Sequence, residues 1–341
     1  MKIRGKKLLG SRGWRYRTAA AGAAALMAGT ALAAGVPGTA SASQHAAKKF
    51  NIVLIPGLTT DPFYITMGVG AKAEAAKLGV NLIWKGATTW SATLQTPIVN
   101  ATLATHPDAL LIAPTDDVAL FKPMDAFVKA GIPVISVDTT LKNKSILTAA
   151  ISSDNFQGGE AAAKAIAAAA HYRGAVAVIN VEKGVSTTDL RQAGFLAQMK
   201  KYPHMTVAAT EYDNDNPTTA ESEARALLLA HKNLVGIFGT NLYSAEGAAK
   251  GVDAAGMKGK IYVAGYDAEP AEVALLKQGV ISILVVQNPA AEGKLAVQDA
   301  YWALTGHKAK IKKSVLLPNV IATTQNANNP AVAKYFYKTK L

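Results

Sequence analysis

With 341 residues, half of them hydrophobic, the chain has enough material for two domains with cores of their own. Its formal charge of +13 is concentrated at the start: residues 1–42 hold seven Lys or Arg and no acid, so removing them leaves 29 basic and 23 acidic residues, a net +6. Spread over so long a remainder, that surplus does not call for nucleic acid. The absence of cysteine excludes disulfides and a lipid-bearing cysteine.

The first segment reads as a leader. "MKIRGKKLLGSRGWRYR" is basic, "TAAAGAAALMAGTALAAGV" is small and apolar, and "PGTASAS" offers an A-x-A site at Ala40-Ser41-Ala42. That order is a secretory signal peptide over residues 1–42, and the cleavage site distinguishes it from a membrane anchor. The arginines at 12, 15 and 17 are never adjacent, which argues against a twin-arginine signal. A Sec-type leader without cysteine places the expected mature protein outside the cytoplasm, in the periplasm, cell envelope or medium, with no lipid anchor.

From Phe50 the pattern alternates. FNIVLI, NLIW, ALLIAP and IPVISVD are apolar on nearly every residue, as strands of a parallel sheet covered on both faces are. Ala- and Lys-rich stretches between them end in the turn signals KLGV, THPD and KAGIP, so the unit is βαβ. The series then repeats. After the helical GGEAAAKAIAAAAHY come AVAVIN, TVAATEY, LVGIFGT, KIYVAGYD and ISILVV. "THPDALLIAPTD" (105–116) aligns without gaps on "AHKNLVGIFGTN" (230–241), and each is followed by a helix and a strand ending in Asp, Asp138 or Asp267. The predicted fold class is α/β, with two Rossmann-like lobes.

Ligands of open α/β sheets bind beyond the carboxyl ends of the strands. The residues just past those ends are Asp61 with Phe63 and Tyr64, then Asp116, Asp138, Asn241, Asp267 and Gln287. Trp90 follows the second strand, and Arg191 lies in "TTDLRQAGF". An aromatic face packs on the C–H face of a sugar, a carboxylate accepts from neighbouring hydroxyls, and Arg or Asn donates to oxygens. Each residue also has a plainer reading. Phe63 and Tyr64 fit helix-start packing after Pro62 at the first helical position, and Asp138 fits a turn cap. Asp267 in "YDAEPAE" fits an N-cap, Arg191 a solvated helix position, and Trp90 packing on the following helix.

No catalytic residues, metal ligands or cofactor are expected. The six histidines lie at turns or helix ends without an H-E-x-x-H pair, and "GVSTT" is not a G-x-S-x-G elbow. "GVGAKA" at Gly68 has dinucleotide-fingerprint spacing but sits inside a helix rather than at a strand-to-helix turn. A sugar-responsive regulator would need an N-terminal helix-turn-helix where this chain has its leader.

The segments "DPFYITMGVGAKAEAAKLGV", "GIPVISVDTT", "ISSDNFQGGEAAAKAI", "GVSTTDLRQAGF", "GTNLYSAEGAAKG" and "AGYDAEPAEVALLKQG" together carry a family resemblance spanning residues 49–325. The chain resembles the periplasmic sugar-binding proteins of ABC transporters, of the ribose-binding-protein-like class. That resemblance implies a type 1 periplasmic binding protein fold with lobes at 43–152 plus 288–319 and at 153–287 plus 320–341, crossing near Ser153, Asn288 and Asn319. It puts Asp61, Phe63, Tyr64, Asp138, Arg191, Asn241, Asp267 and Gln287 on ligand-contacting positions, and Trp90 is expected as an added aromatic wall. It also implies hinge closure on a sugar or polyol, a membrane permease as partner, a monomer, and no enzyme activity. A binding protein reporting to a chemoreceptor or sensor kinase is the alternative role. Two departures matter: Asp61 stands where the ribose binder has Asn, and Thr139 where it has Arg. They point toward a polyol or a differently configured monosaccharide rather than ribose, and leave room for a cationic ligand.

Overall fold

A computed structural model describes residues 49–341; the expected signal peptide over residues 1–42 lies outside the described residues. The first half of the chain runs β1 (Asn51–Ile55), α1 (Pro62–Leu78), β2 (Asn81–Trp84), α2 (Ala92–Leu103), β3 (Ala109–Ile112), α3 (Phe121–Lys129), β4 (Val134–Val137) and β5 (Ala149–Ser153). The second half runs α4 (Asn155–Ala169), β6 (Gly174–Asn180), α5 (Ser186–Met199), β7 (Met205–Tyr212), α6 (Pro217–Ala230), β8 (Leu234–Gly239), α7 (Leu242–Ala254), β9 (Tyr262–Tyr266), α8 (Pro270–Lys277) and β10 (Ile281–Val286). The chain closes with α9 (Pro289–Leu304), β11 (Ser314–Leu317), β12 (Val320–Thr323) and α10 (Pro330–Ala333).

Two six-stranded sheets result, ordered β11-β5-β4-β3-β1-β2 and β12-β10-β9-β8-β6-β7. The winding is the same in both, as the internal repeat predicts. Every pairing is parallel except β10 with β12. Helix α9 packs against α1 and the first sheet, β11 joins that sheet beside β5, and β12 belongs to the second. The chain therefore passes between the sheets after β5, after β10 and between β11 and β12.

Local chemistry sets the elements. All four residues of β3 and of β4 are buried, which matches their unbroken apolar runs. At α1, Asp61 accepts from the Phe63 N–H at 2.7 Å, Pro62 occupies the first helical position, and Gly79 ends the helix at φ 69°. "GVGAKA" lies within α1. Strands β5, β11 and β12 escape a reading of apolar runs. The first is short and rich in Ala and Ser, while the other two are four-residue segments that hold a single buried residue between them.

Helix α5, which carries Arg191, is held against α4 by backbone contact. A Cβ on Gly159 would strike the Arg191 carbonyl, and one on Gly194 would strike the Phe156 carbonyl. Only hydrogen fits at either place. Replacing Gly159 with Ala is expected to push α5 off α4 and cost about 1–3 kcal/mol of stability. Urea denaturation measures the loss, and a midpoint equal to that of the unaltered protein would contradict the close approach.

Candidate ligand-binding site

The carboxyl ends of the two sheets face one cavity. Asp61, Phe63, Tyr64, Trp90, Asp138, Arg191, Asn241, Asp267 and Gln287 all line it, so the structure brings the nine sequence-predicted residues together. Asp116 does not. Its carboxylate turns onto the N–H groups of Val118 and Ala119, at 2.8 and 2.6 Å.

Asp138 and Asp267 occupy equivalent places. Each follows the fourth strand of its sheet's βα series, with φ of 68° and 91° respectively. Each donates its backbone N–H to the next strand: Asp138 to Ile151 in β5, and Asp267 to Val285 in β10. Left-handed backbone at a non-glycine residue costs on the order of 1–3 kcal/mol, so the paired geometry is sustained by its surroundings. Asp138 accepts from the Tyr64 hydroxyl at 2.6 Å. One oxygen of Asp267 accepts from both Gln287 Nε2, at 2.5 Å, and the Tyr337 hydroxyl, at 2.7 Å. Asp267 does not cap α8, because Glu269 holds that role in a reciprocal capping box with Glu272.

Arg191 is not a solvated helix residue. It is 2% exposed, donates from Nε to Asn155 at 2.8 Å and from Nη1 to the Thr240 carbonyl at 2.9 Å, and stacks 3.7 Å over the Tyr266 ring. Its Nη1 lies 3.8 Å from Asp267. Burial works against its charge, but Tyr266, Asp267 and Asp138 more than offset that and raise its pKa. Asn241 caps α7 through its side-chain oxygen and donates to Asp215 at 2.6 Å.

Asp215 is the charged cavity residue that sequence reasoning missed. It follows β7 in "DNDNP", has φ of 59° and lines the cavity. Its signal in the sequence is its place just past the strand TVAATEY, the same position that marks the other cleft residues. Val181, Val185, Thr187, Thr188 and Leu242 complete the wall. Thr139, one of the two departures, turns away and donates to the Pro114 carbonyl at 2.8 Å.

Four aspartates thus face one guanidinium. In each carboxylate one oxygen is held by a protein donor, which leaves acceptor capacity for a ligand. Gln287 Oε1 is buried without a partner, a further acceptor awaiting a donor. The aromatic wall is equally constrained: a side chain on Gly57 would strike the Trp90 ring and the Tyr64 hydroxyl. Phe63 stands edge-on to Tyr64, with centroids 5.1 Å apart. The cavity can bind a molecule rich in hydroxyl donors with an apolar face.

A family model described as periplasmic binding protein domain matches residues 52–308. The ribose import binding protein of Bacillus subtilis is 30% identical over 278 residues, covering 81% of this chain and 88% of its own length. A solute-binding protein of an ABC transporter from Agrobacterium vitis, solved with α-D-tagatopyranose, is 41% identical with a TM-score of 0.83, covering 85% of this chain and 100% of that one. A carbohydrate transporter solute-binding protein from Agrobacterium radiobacter, solved with D-arabinose, is 29% identical with a TM-score of 0.81 over the same shares.

Burial drives the carboxyl pKa values upward. It lifts Asp138 to about 6 against the pull of Arg191 and the Tyr64 hydroxyl. It lifts Asp215 to about 7 against the Asn241 hydrogen bond, with Asp213 and Asp267 adding to the rise. Asp61 is pushed well above the usual range by burial and by Asp215 and Asp267. A carboxyl whose folded pKa exceeds its unfolded value of about 3.9 binds more protons when folded, so stability falls as pH rises from the lower value through the higher. The ligand-free protein is expected to lose stability between about pH 4 and pH 7 through these groups. Asp215→Asn removes one of them and should flatten that slope in melting curves; an unchanged slope would contradict the burial of Asp215.

Proposed function

The chain belongs to the periplasmic binding protein family, and from that premise we propose that it captures a monosaccharide or polyol in the cleft and delivers it to the permease of an ABC transporter. It is a transport protein without enzymatic chemistry. The observation that carries the reading is the convergence, from two sheets, of four aspartates, one arginine and three aromatic rings on a single cavity. Relatives solved with tagatose and arabinose, and one whose description is ribose import, support the same ligand class.

The residues proposed to hold the sugar are Asp61, Phe63, Tyr64, Trp90, Asp138, Arg191, Asn241, Asp267 and Gln287, with Asp215 added. Carboxylates accept from ring hydroxyls, the guanidinium donates to oxygens that lack a proton to give, and Phe63, Tyr64 and Trp90 cover the C–H face. Burying this many acceptors is unfavourable until hydroxyls meet them, so the ligand's donors are what make the closed cleft favourable.

Two lobes move to admit it, residues 43–152 with 288–319 and residues 153–287 with 320–341. The three crossings are tied to one another. Ser153 donates to Glu292 at 2.7 Å, and Asn319 donates to the Asp154 carbonyl at 2.8 Å. Across the mouth, the Asp117 N–H meets the Gly184 carbonyl at 3.1 Å and the Thr140 N–H meets Ser186 Oγ at 2.9 Å. Such bonds exist only when the lobes meet, and a ligand that contacts both lobes shifts the population toward that closed form. The permease reads the closed form. Export by a Sec-type leader, the absence of a lipid anchor and action as a monomer complete the proposal.

A thermal-shift screen of residues 43–341 against D-ribose, D-arabinose, D-tagatose, polyols and cationic compounds tests it. One sugar or polyol is expected to raise the melting temperature by several degrees at a hundredfold excess over its Kd, which adds about 2.7 kcal/mol. A cationic compound alone doing so would overturn the sugar reading. With the ligand in hand, Asp138→Asn and Arg191→Lys should each weaken calorimetric affinity roughly tenfold or more, since each loses a charge-assisted or forked contact. Unchanged affinity in both would refute the site.

A further inference from the structure

The last residues of the chain join what the crossings separate. After β12 the chain stays with the second sheet: α10 packs beside β12, the Tyr337 N–H donates to the Ala268 carbonyl at 3.0 Å, and the Tyr337 hydroxyl donates to Asp267 at 2.7 Å. The next residue belongs to the other side. The Lys338 N–H donates to Thr66 Oγ1 of α1 at 2.6 Å, and a Cβ on Gly68 of α1 would strike the Leu341 side chain. Between these anchors the Tyr337 ring, 5% exposed, stands edge-on to Phe63 of α1, with centroids 5.7 Å apart.

We propose that residues 334–341 form a strap that latches the closed cleft, bolted to the second lobe at Tyr337 and to α1 of the first at Lys338. The proposal rests on the two-lobe closure proposed above. Adjacent residues of one chain are fixed to opposite lobes, so an opening that draws α1 away from Ala268 and Asp267 breaks one set of contacts or the other. If the strap stays with the second lobe, the Lys338–Thr66 bond and the Phe63–Tyr337 contact break. If it stays with α1, the bonds to Ala268 and Asp267 break instead. The strap is also wired to the ligand. Tyr337 and Gln287 share one oxygen of Asp267, which leaves the oxygen nearer Arg191 for the cleft, and Phe63 is both cavity wall and strap contact. A ligand that orders Asp267 and Phe63 therefore strengthens the seat of the strap, and a seated strap slows the ligand's escape.

The test uses spin labels at Lys142→Cys and Lys183→Cys, exposed positions on either side of the mouth in a chain that has no other cysteine. Their separation reports closure with or without ligand. Two alterations are compared with the full-length protein: a chain ending at Tyr337, and Thr66→Val, which removes the acceptor while keeping the shape. Each is expected to lower the closed-to-open ratio about five- to tenfold, the size of one lost hydrogen bond with its packing. With a sugar found by the screen, the dissociation rate should rise by a similar factor and the association rate should not fall. Cooperative melting checks that each variant folds, and Thr66→Val keeps the test alive if the shortened chain does not. Distance distributions identical to the full-length protein's in the folded variants would overturn the latch. If the unaltered chain binds none of the sugars screened, the sugar reading fails while the distance measurement still decides the latch.

Discussion

A single buried guanidinium governs the arrangement of the cleft. Arg191 is 2% exposed, stacked on Tyr266 and tethered to Asn155 and the Thr240 carbonyl, with four aspartates lining the same cavity. An unpaired buried carboxylate is costly, and one cation cannot balance four. The remaining charge is managed by shared donors and by raised carboxyl pKa values at Asp61, Asp138 and Asp215. The position of Arg191 in turn depends on α5 lying in backbone contact with α4, which glycines 159 and 194 permit.

The two sheets contribute to this site by repetition. Asp138 and Asp267 sit at matching strand ends, both in left-handed backbone, both with the N–H tied to the neighbouring strand. Duplicated topology thus places two acceptors on opposite walls, and a polyhydroxylated ligand is the kind of molecule that can satisfy both at once. The two walls differ in the groups they present. Phe63 and Tyr64 from the start of α1 and Trp90 from the loop after β2 belong to the first sheet's side, while Arg191 from α5, with Asp215, Asn241 and Gln287, belongs to the second's.

Closure is spread over few contacts, as a reversible binder requires. Two backbone-donated bonds span the mouth, and the strap adds its own near the start of α1. Each net hydrogen bond is worth about 0.5–1.5 kcal/mol, so together they bias the equilibrium without locking it. That leaves the ligand's own contacts as the deciding increment.

By itself the sequence determined the βαβ alternation, the repeat, the cap at Asp61-Pro62 and the rule that residues past strand ends face the ligand. These are local features, written in hydrophobic periodicity and in short-range hydrogen bonding. Nine cleft residues follow from them and from the family resemblance, and all nine line the cavity. Only the tertiary structure excluded Asp116, which caps its own loop, and relieved Asp267 of the capping role that Glu269 fills. It also brought in Asp215, hidden in a turn-like "DNDNP", and Tyr337, whose hydroxyl meets Asp267 from 70 residues away. The physical reason is that one-dimensional patterns record which face of an element is buried. Which distant loop arrives opposite that face is decided only when the two sheets have packed and the chain has crossed between them.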